Sequence, residues 1–357
     1  MQGSNKTKQQ NMDRLRSREF VNGAEQLRYK GMENMLLDGT SGEKLLCEET
    51  ENGSLRLCRV FGSVDTLVLP DTLEGGRQIK TIGAYCFAEK GRLSQALIDE
   101  AEGAGLGDGT SAPEGVLRPL NGNYLREITL PDTVTCMEAY AFYNCKKLER
   151  LTVGAVLTEI NSDAFMNCRM LHTLAIRAAA GDVTGLPFLL NQLTAELCVE
   201  FVKEDTKVRL LYPEYTESYE EIGPAHIFSL HVEGEGYRAR RQFVDGRLDM
   251  PGYDAVFDKA CNEEQFLTLM KMALYRLEYP YELTEEAKIR YEKYISDHEV
   301  AVLEQLVHME DEETLHMLCS QPMISDEAIQ AAIVRAVSDG WTRGVAGIIR
   351  WRNEYAR

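Results

Sequence analysis

No stretch of 18 apolar residues occurs in the 357-residue sequence, which excludes a transmembrane helix. Residues 1–20 are rich in Gln, Asn, Lys and Arg and lack the apolar core of a secretory signal, so the cytoplasm is the expected compartment. The nine cysteines are odd in number and none falls in a CxxC pair. Neither a disulfide framework nor a zinc knuckle is indicated, and they read as small buried hydrophobes. Positive charge is also short: 39 Lys and Arg face 57 Asp and Glu, a balance of −18 that argues against nucleic acid or an anionic membrane as the main partner. Catalytic signatures are missing. No GxSxG elbow surrounds any Ser, and Gly234-Glu-Gly236 lacks the third Gly of a phosphate loop and reads as a turn. His308 and His316 are eight apart instead of the four that shares a helix face, so Asp311-Glu312-Glu313 reads as a helix start with acids at the positive dipole end. No catalytic residue, cofactor or metal is expected.

What is present is a period. Residues 125–147 are followed by 148–170 with Leu125, Leu148 and Leu171 stepping by 23, as do Ile128, Leu151 and Leu174, then Leu130, Val153 and Ile176. Ala141-Phe142 and Cys145 recur at Ala164-Phe165 and Cys168. Continued forward, the step places Phe188 at the Phe165 position, Leu197 at Leu174 and Val199 at Ile176. Backward, residues 64–87 fit once a six-residue insertion after Leu73 is allowed. The chain between Phe87 and Leu125 is 32 residues longer than the repeat requires, which predicts an inserted loop at 88–122 with a short helix near 89–102 and a Gly-rich stretch at 103–115.

The alternation in Leu-x-x-Ile-x-Leu sends Ile128 and Leu130 to the core and Glu127 and Thr129 outward, and Pro131 ends the strand. One unit cannot bury its own apolar face, but stacked units can, as a parallel solenoid with capped ends. Asn52-Gly53 between two strand-like runs marks an N-terminal hairpin cap, and residues 196–215 read as a closing hairpin.

The pattern carried by Ile128-Thr129-Leu130-Pro131, Val134, Met137, Ala141-Phe142, Cys145 and Leu148, and again by Leu157, Ile160, Ala164-Phe165, Cys168 and Leu171, resembles the bacterial BspA-type leucine-rich repeat, also found in treponemal repeat proteins. The resemblance covers roughly residues 44–200. It implies a protein-interaction surface, often adhesion-like, with no shared chemistry. For the repeated cysteine it implies a thiol that satisfies loop backbone groups from inside.

From residue 259 onward helices dominate, with amphipathic runs at 263–277 and 284–295 and a capping box at Ser296–Glu299 opening the next helix. Leu303 and Ile333, Val307 and Val337, Leu315 and Val345, and Leu318 and Ile348 step by 30, which looks like ankyrin- or HEAT-style hairpins. Residues 213–357 hold 28 acidic and 15 basic residues, a balance of −13 out of −18, so most of the net negative charge lies there, where it reads as a solvated helical face. Arg238, Arg240 and Arg241 form a basic spot that reads as structural pairing.

The expected fold is therefore α/β, a short leucine-rich-repeat solenoid with parallel strands followed by a mainly α-helical C-terminal domain. Its divisions are a polar, helical segment 1–43, a repeat domain 44–212, an irregular linker 213–258 and a helical domain 259–357. The candidate protein-binding residues lie on the outward strand face: Thr66 and Val68, Glu127 and Thr129, Arg150 and Thr152, and Thr173 with Ala175, flanked by His172. A non-enzymatic scaffold that bridges two protein partners is the expected function. The alternatives are an adhesion-type surface protein exported without a recognisable signal, and an enzyme with its site between the two halves.

Overall fold

A computed structural model describes residues 33–106, 117–203, 206–222 and 227–355. Residues 107–116, most of the Gly-rich stretch expected at 103–115, lie outside the described residues, as do the first 32 residues of the segment 1–43 expected to be polar, helical and partly disordered. The described end of that segment is a strand at Glu33–Asp38 in place of a helix, because it pairs with Lys44–Glu49. Two sheets face each other across one core. The first contains β1 (Glu33–Asp38), β2 (Lys44–Glu49), β3 (Leu55–Gly62), β5 (Ile79–Ile82), β8 (Cys136–Met137) and β10 (Glu159–Ile160) in that order, with β6 (Arg118–Pro119) also on β3. The second runs β13 (Thr206–Tyr212), β12 (Leu197–Lys203), β11 (Thr173–Arg177), β9 (Arg150–Gly154), β7 (Glu127–Thr129) and β4 (Thr66–Val68).

The 23-residue step becomes strand register: Ile128 lies opposite Leu151, and Leu151 opposite Leu174. The strands are not all parallel, which corrects the expectation. β4, β7, β9, β11 and β12 are parallel to their neighbours, as are β3, β5, β8 and β10, whereas β1–β2–β3 and β12–β13 are antiparallel. The antiparallel pairs occupy one end of each ladder, where a hairpin pairs a sheet edge that another coil would otherwise fill. Gly53 at φ +77° makes the β2–β3 turn possible, and Gly53 N donates to Thr50 O at 2.8 Å.

The phenylalanine position fills the space between the sheets. Phe87, Phe142 and Phe165 stack with ring centroids 4.9 and 5.4 Å apart. Phe188 does not join them and is 49% exposed. In that unit a short helix, Leu186–Leu190, buries Leu186, Leu189 and Leu190 instead, and the next strand slips by two residues, so that Val199 faces Leu174 and Phe201 faces Ile176. The thiols do what the resemblance implies: Cys145 Sγ donates to Phe87 O at 3.3 Å and Cys168 Sγ to Phe142 O at 3.1 Å. At the turns before each Phe, Tyr85, Tyr140 and Asp163 take φ of 58°, 61° and 59°, a left-handed conformation that costs a non-glycine residue about 1–2 kcal/mol.

In the insertion, α1 (Gln95–Gly103) covers the outer side of β1–β3, burying Leu97 and Ala101 with Leu46 and Phe61. Leu186–Leu190 is α2. The region expected as linker holds a hairpin, β14 (Thr216–Ile222) with β15 (Ile227–Glu233), then α3 (Gly236–Ala239) and a second hairpin, β16 (Phe243–Val244) with β17 (Arg247–Leu248). Helices begin at Met250, earlier than expected, because Asp249 Oδ1 caps Gly252 N at 3.1 Å and Pro251 suits the first turn. They are α4 (Met250–Glu263), α5 (Phe266–Glu278), α6 (Glu285–Asp297), α7 (Glu299–His308), α8 (Glu312–Cys319), α9 (Asp326–Ser338) and α10 (Thr342–Tyr355).

Helix α7 packs on α9, and α8 on α10. The expected 30-residue equivalence fails at one pair, since Val307 is buried and Val337 is 62% exposed. The expected capping box also does not form. Ser296 ends inside α6 and His298 is the residue before α7. Glu299 instead accepts from Ser325 N at 2.7 Å and Ser325 Oγ at 2.6 Å, tying α7 to the cap of α9. Asp311 starts α8 as expected, accepting from Thr314 N at 3.1 Å. Among the described residues no helix is long and apolar enough to cross a membrane.

Candidate interaction surface

The outward face of the second sheet carries two rows. Thr66, Glu127, Arg150 and Thr173 are register partners in one, and Val68, Thr129, Thr152 and Ala175 in the other, so the strand pairing brings the expected residues together. Their exposure falls along the rows. Thr66, Glu127 and Val68 are exposed, Thr129, Arg150 and Thr152 half-buried, and Thr173 is only 9% exposed beside a fully buried Ala175. His172 remains exposed at the flank, its Nδ1 2.9 Å from Thr173 Oγ1. Thr173 and Ala175 are therefore withdrawn from the expected face.

The cause lies one strand further on. Arg150 on β9 reaches across β11 to Glu200 on β12 at 2.6 Å, and Glu200 also accepts from Arg209 Nε at 3.0 Å and Nη2 at 2.8 Å. Burial alone pushes the Glu200 carboxyl up, but the Arg150 hydrogen bond and the charges of Arg150 and Arg209 outweigh it and hold it below the usual range. Helix α5 then covers this end. The Arg209 guanidinium lies 5.0 Å from the Tyr275 ring centre and 5.5 Å from that of Tyr279, and Thr268 and Lys271 both donate to Glu196 at 2.7 Å. The open part of the face is thus β4, β7 and β9.

The three arginines of the basic spot go to three places. Arg238 pairs with the buried Glu235. Arg241 lies 3.7 Å over the Tyr237 ring. Arg240 is buried and donates to the carbonyls of Leu193, Ala195, Pro213 and Gly236, stapling the last coil to the chain beyond it, and burial lowers its pKa to about 10. Gly236 packs against Pro213 O where a Cβ would come within 2.0 Å, so the glycine serves close backbone approach at the first residue of α3. His316 lies against Trp351 with centroids 4.8 Å apart, and His308 is exposed.

A second surface was not legible in the repeat pattern. An open groove of about 1040 Å³ crosses the outward side of the first sheet between the 50–54 turn and the loop 75–78. At its floor Arg56 donates to Glu138 at 2.9 and 2.6 Å and to Glu48 at 2.8 Å, and Glu138 also accepts from Ala84 N at 2.7 Å. The Arg56–Glu138 pair spans 82 residues of sequence, and no local motif announces it.

The family profile described as BspA type leucine rich repeat region (6 copies) matches residues 120–187. This stretch is a BspA-type leucine-rich repeat region. It includes β7 to β11, the coils in which the Phe and Cys positions repeat. The chain matches no curated protein and no solved structure.

Proposed function

We propose that the protein is a non-enzymatic interaction scaffold, in which the BspA-type repeat region forms a short solenoid that offers its outward strand face to a protein partner and the acidic helical half provides a second surface. The observation that carries this reading is the unequal covering of one continuous sheet. Its β11–β13 end is closed by Arg150, Glu200, Arg209 and α5, while the β4–β7–β9 end keeps Thr66, Val68 and Glu127 exposed, with Val68 at 54%. A rigid sheet with mixed polar and apolar residues is the surface that repeat proteins use for binding. Repeat regions of this type generally mediate protein contact or adhesion, which supports a protein as the partner.

The test is capture of partners from native extract by the full chain, compared with a Val68→Asp, Thr129→Arg double variant of unchanged melting temperature. Loss of a reproducible partner in the variant supports the strand face. A partner captured equally by both moves the contact elsewhere.

A further inference from the structure

We propose that the turn arcs joining the two sheets form a separate docking surface, which takes an acidic segment of a partner protein through Lys146, Lys147 and Arg169 and packs its apolar side chains on Tyr140, Tyr143 and Met166. The chain passes from the first sheet to the second along such arcs at 138–148 and 161–171, and 83–88 with 120–125 forms the matching arc before them, interrupted by the insertion. Stacking of the coils aligns the arcs: Phe87 N donates to Ala141 O and Phe142 N to Ala164 O, each at 2.8 Å, and Asn167 Nδ2 donates to Asn144 Oδ1 at 2.8 Å. Side chains at matching positions therefore form columns across the arcs.

One column is aromatic. Tyr85 and Tyr140 stack with centroids 5.2 Å apart, and Tyr143 meets them edge-on at 6.3 and 5.8 Å. All three are half-buried, and the Arg92 guanidinium lies 4.4 Å over Tyr85. One coil on, Met166 follows Tyr143 and is 45% exposed, and Met170 follows Lys147 and is 49% exposed. Tyr, Met and Arg are the residues that interfaces enrich. The turn does not require the rings, because Asp163 serves the same left-handed position in the third arc.

The second column is basic. Lys146, Lys147 and Arg169 are exposed, and among the described residues none of these three has a carboxylate partner. On the adjoining strand face the cations are paired, Arg126 with Glu149, Arg150 with Glu200 and Arg177 with Asp132. Three exposed cations without a carboxylate partner on two stacked arcs of a chain with net charge −18 point to a carboxylate-bearing partner. Asp163 interrupts this face and the two methionines want apolar contact, which favours spaced acidic side chains on a peptide over the closely spaced phosphates of a single-stranded nucleic acid.

The test is fluorescence anisotropy of a labelled glutamate–tyrosine copolymer with the full chain, and of a labelled oligothymidylate as second probe. The copolymer is expected to bind and to weaken with added salt. A Lys146→Glu, Lys147→Glu, Arg169→Glu variant is expected to bind roughly tenfold more weakly. Tyr140→Asn, which suits the left-handed turn, is expected to bind roughly threefold more weakly at an unchanged melting temperature. No copolymer binding, unchanged binding by either variant, or tighter binding of oligothymidylate overturns the proposal. Because these residues lie off the strand face, the Val68→Asp, Thr129→Arg variant is expected to bind the copolymer as the parent does.

Discussion

Arg150 and Glu200 meet at 2.6 Å across an intervening strand, and this contact marks where the outward strand face stops being a surface. Together with Arg209 it sets the carboxylate of Glu200 in a buried, doubly paired position. Glu200→Gln is expected to cost about 2–3 kcal/mol at pH 7, because it leaves two arginines without their anion. The folded-state pKa of Glu200 is lowered from 4.5, so its stabilisation is present above the ordinary value and is lost as pH falls through the folded one. Urea melts of parent and variant should converge in acid, and a gap that stayed constant would remove this account.

Phe142 stands between Phe87 and Phe165 and is fully buried, so Phe142→Ala opens a cavity in the middle of the stack. A loss of about 3–5 kcal/mol is expected. Phe188→Ala, at the position that the period aligns with Phe165, is expected to stay within about 0.5 kcal/mol, since its ring is half exposed. Denaturant midpoints of the two variants check both.

Thiol reactivity separates the cysteines by place. Cys47, Cys58, Cys86 and Cys145 are buried and burial pushes each thiol up, to about 12 for Cys86. Cys261 on α4 is exposed. Iodoacetamide on the native protein, followed by mass spectrometry, should label Cys261 first and reach those four only after unfolding. Early labelling of Cys145 would count against the stacked coils.

Asp254, Arg276 and Tyr291 bring α4, α5 and α6 together: Arg276 donates to both carboxylate oxygens of Asp254 at 2.7 and 2.9 Å, and Tyr291 Oη donates to Oδ1 at 2.8 Å. Asp254 and Arg276 are fully buried. Asp254→Asn leaves an uncompensated buried guanidinium and is expected to cost about 3–5 kcal/mol, read as a drop in thermal midpoint. Asp258→Asn, whose contact to Arg290 is at the surface, serves as the control and should cost less than about 1 kcal/mol.

The repeat core was legible because its signal is periodic. The Ile/Leu positions of β7, β9 and β11, the Phe stack and the two thiol positions follow from spacing, since identical steps in sequence become neighbours in register, and the Asn52-Gly53 hairpin follows from its turn residues. The period misled where it weakened. At Phe188 a short helix replaces the turn, and two extra residues shift β12, because burial of Leu186 and Leu189 there outweighs the repeat. The capping box at Ser296 failed because Ser296 is taken into α6 and Glu299 finds Ser325, a partner 26 residues on.

By itself the sequence determined the coil length, the residues turned inward and outward along β4, β7 and β9, and the positions of the two hairpins that end the ladders, since local alternation and turn chemistry suffice for these. Tertiary structure alone decided which part of the outward face stays open, because the Arg150–Glu200–Arg209 bridge and the seat of α5 join residues far apart in sequence. It also decided that Tyr85 meets Tyr140, 55 residues away in sequence, and Tyr143 beside it, since the insertion between them hides the period and only the stacking of coils brings the rings together.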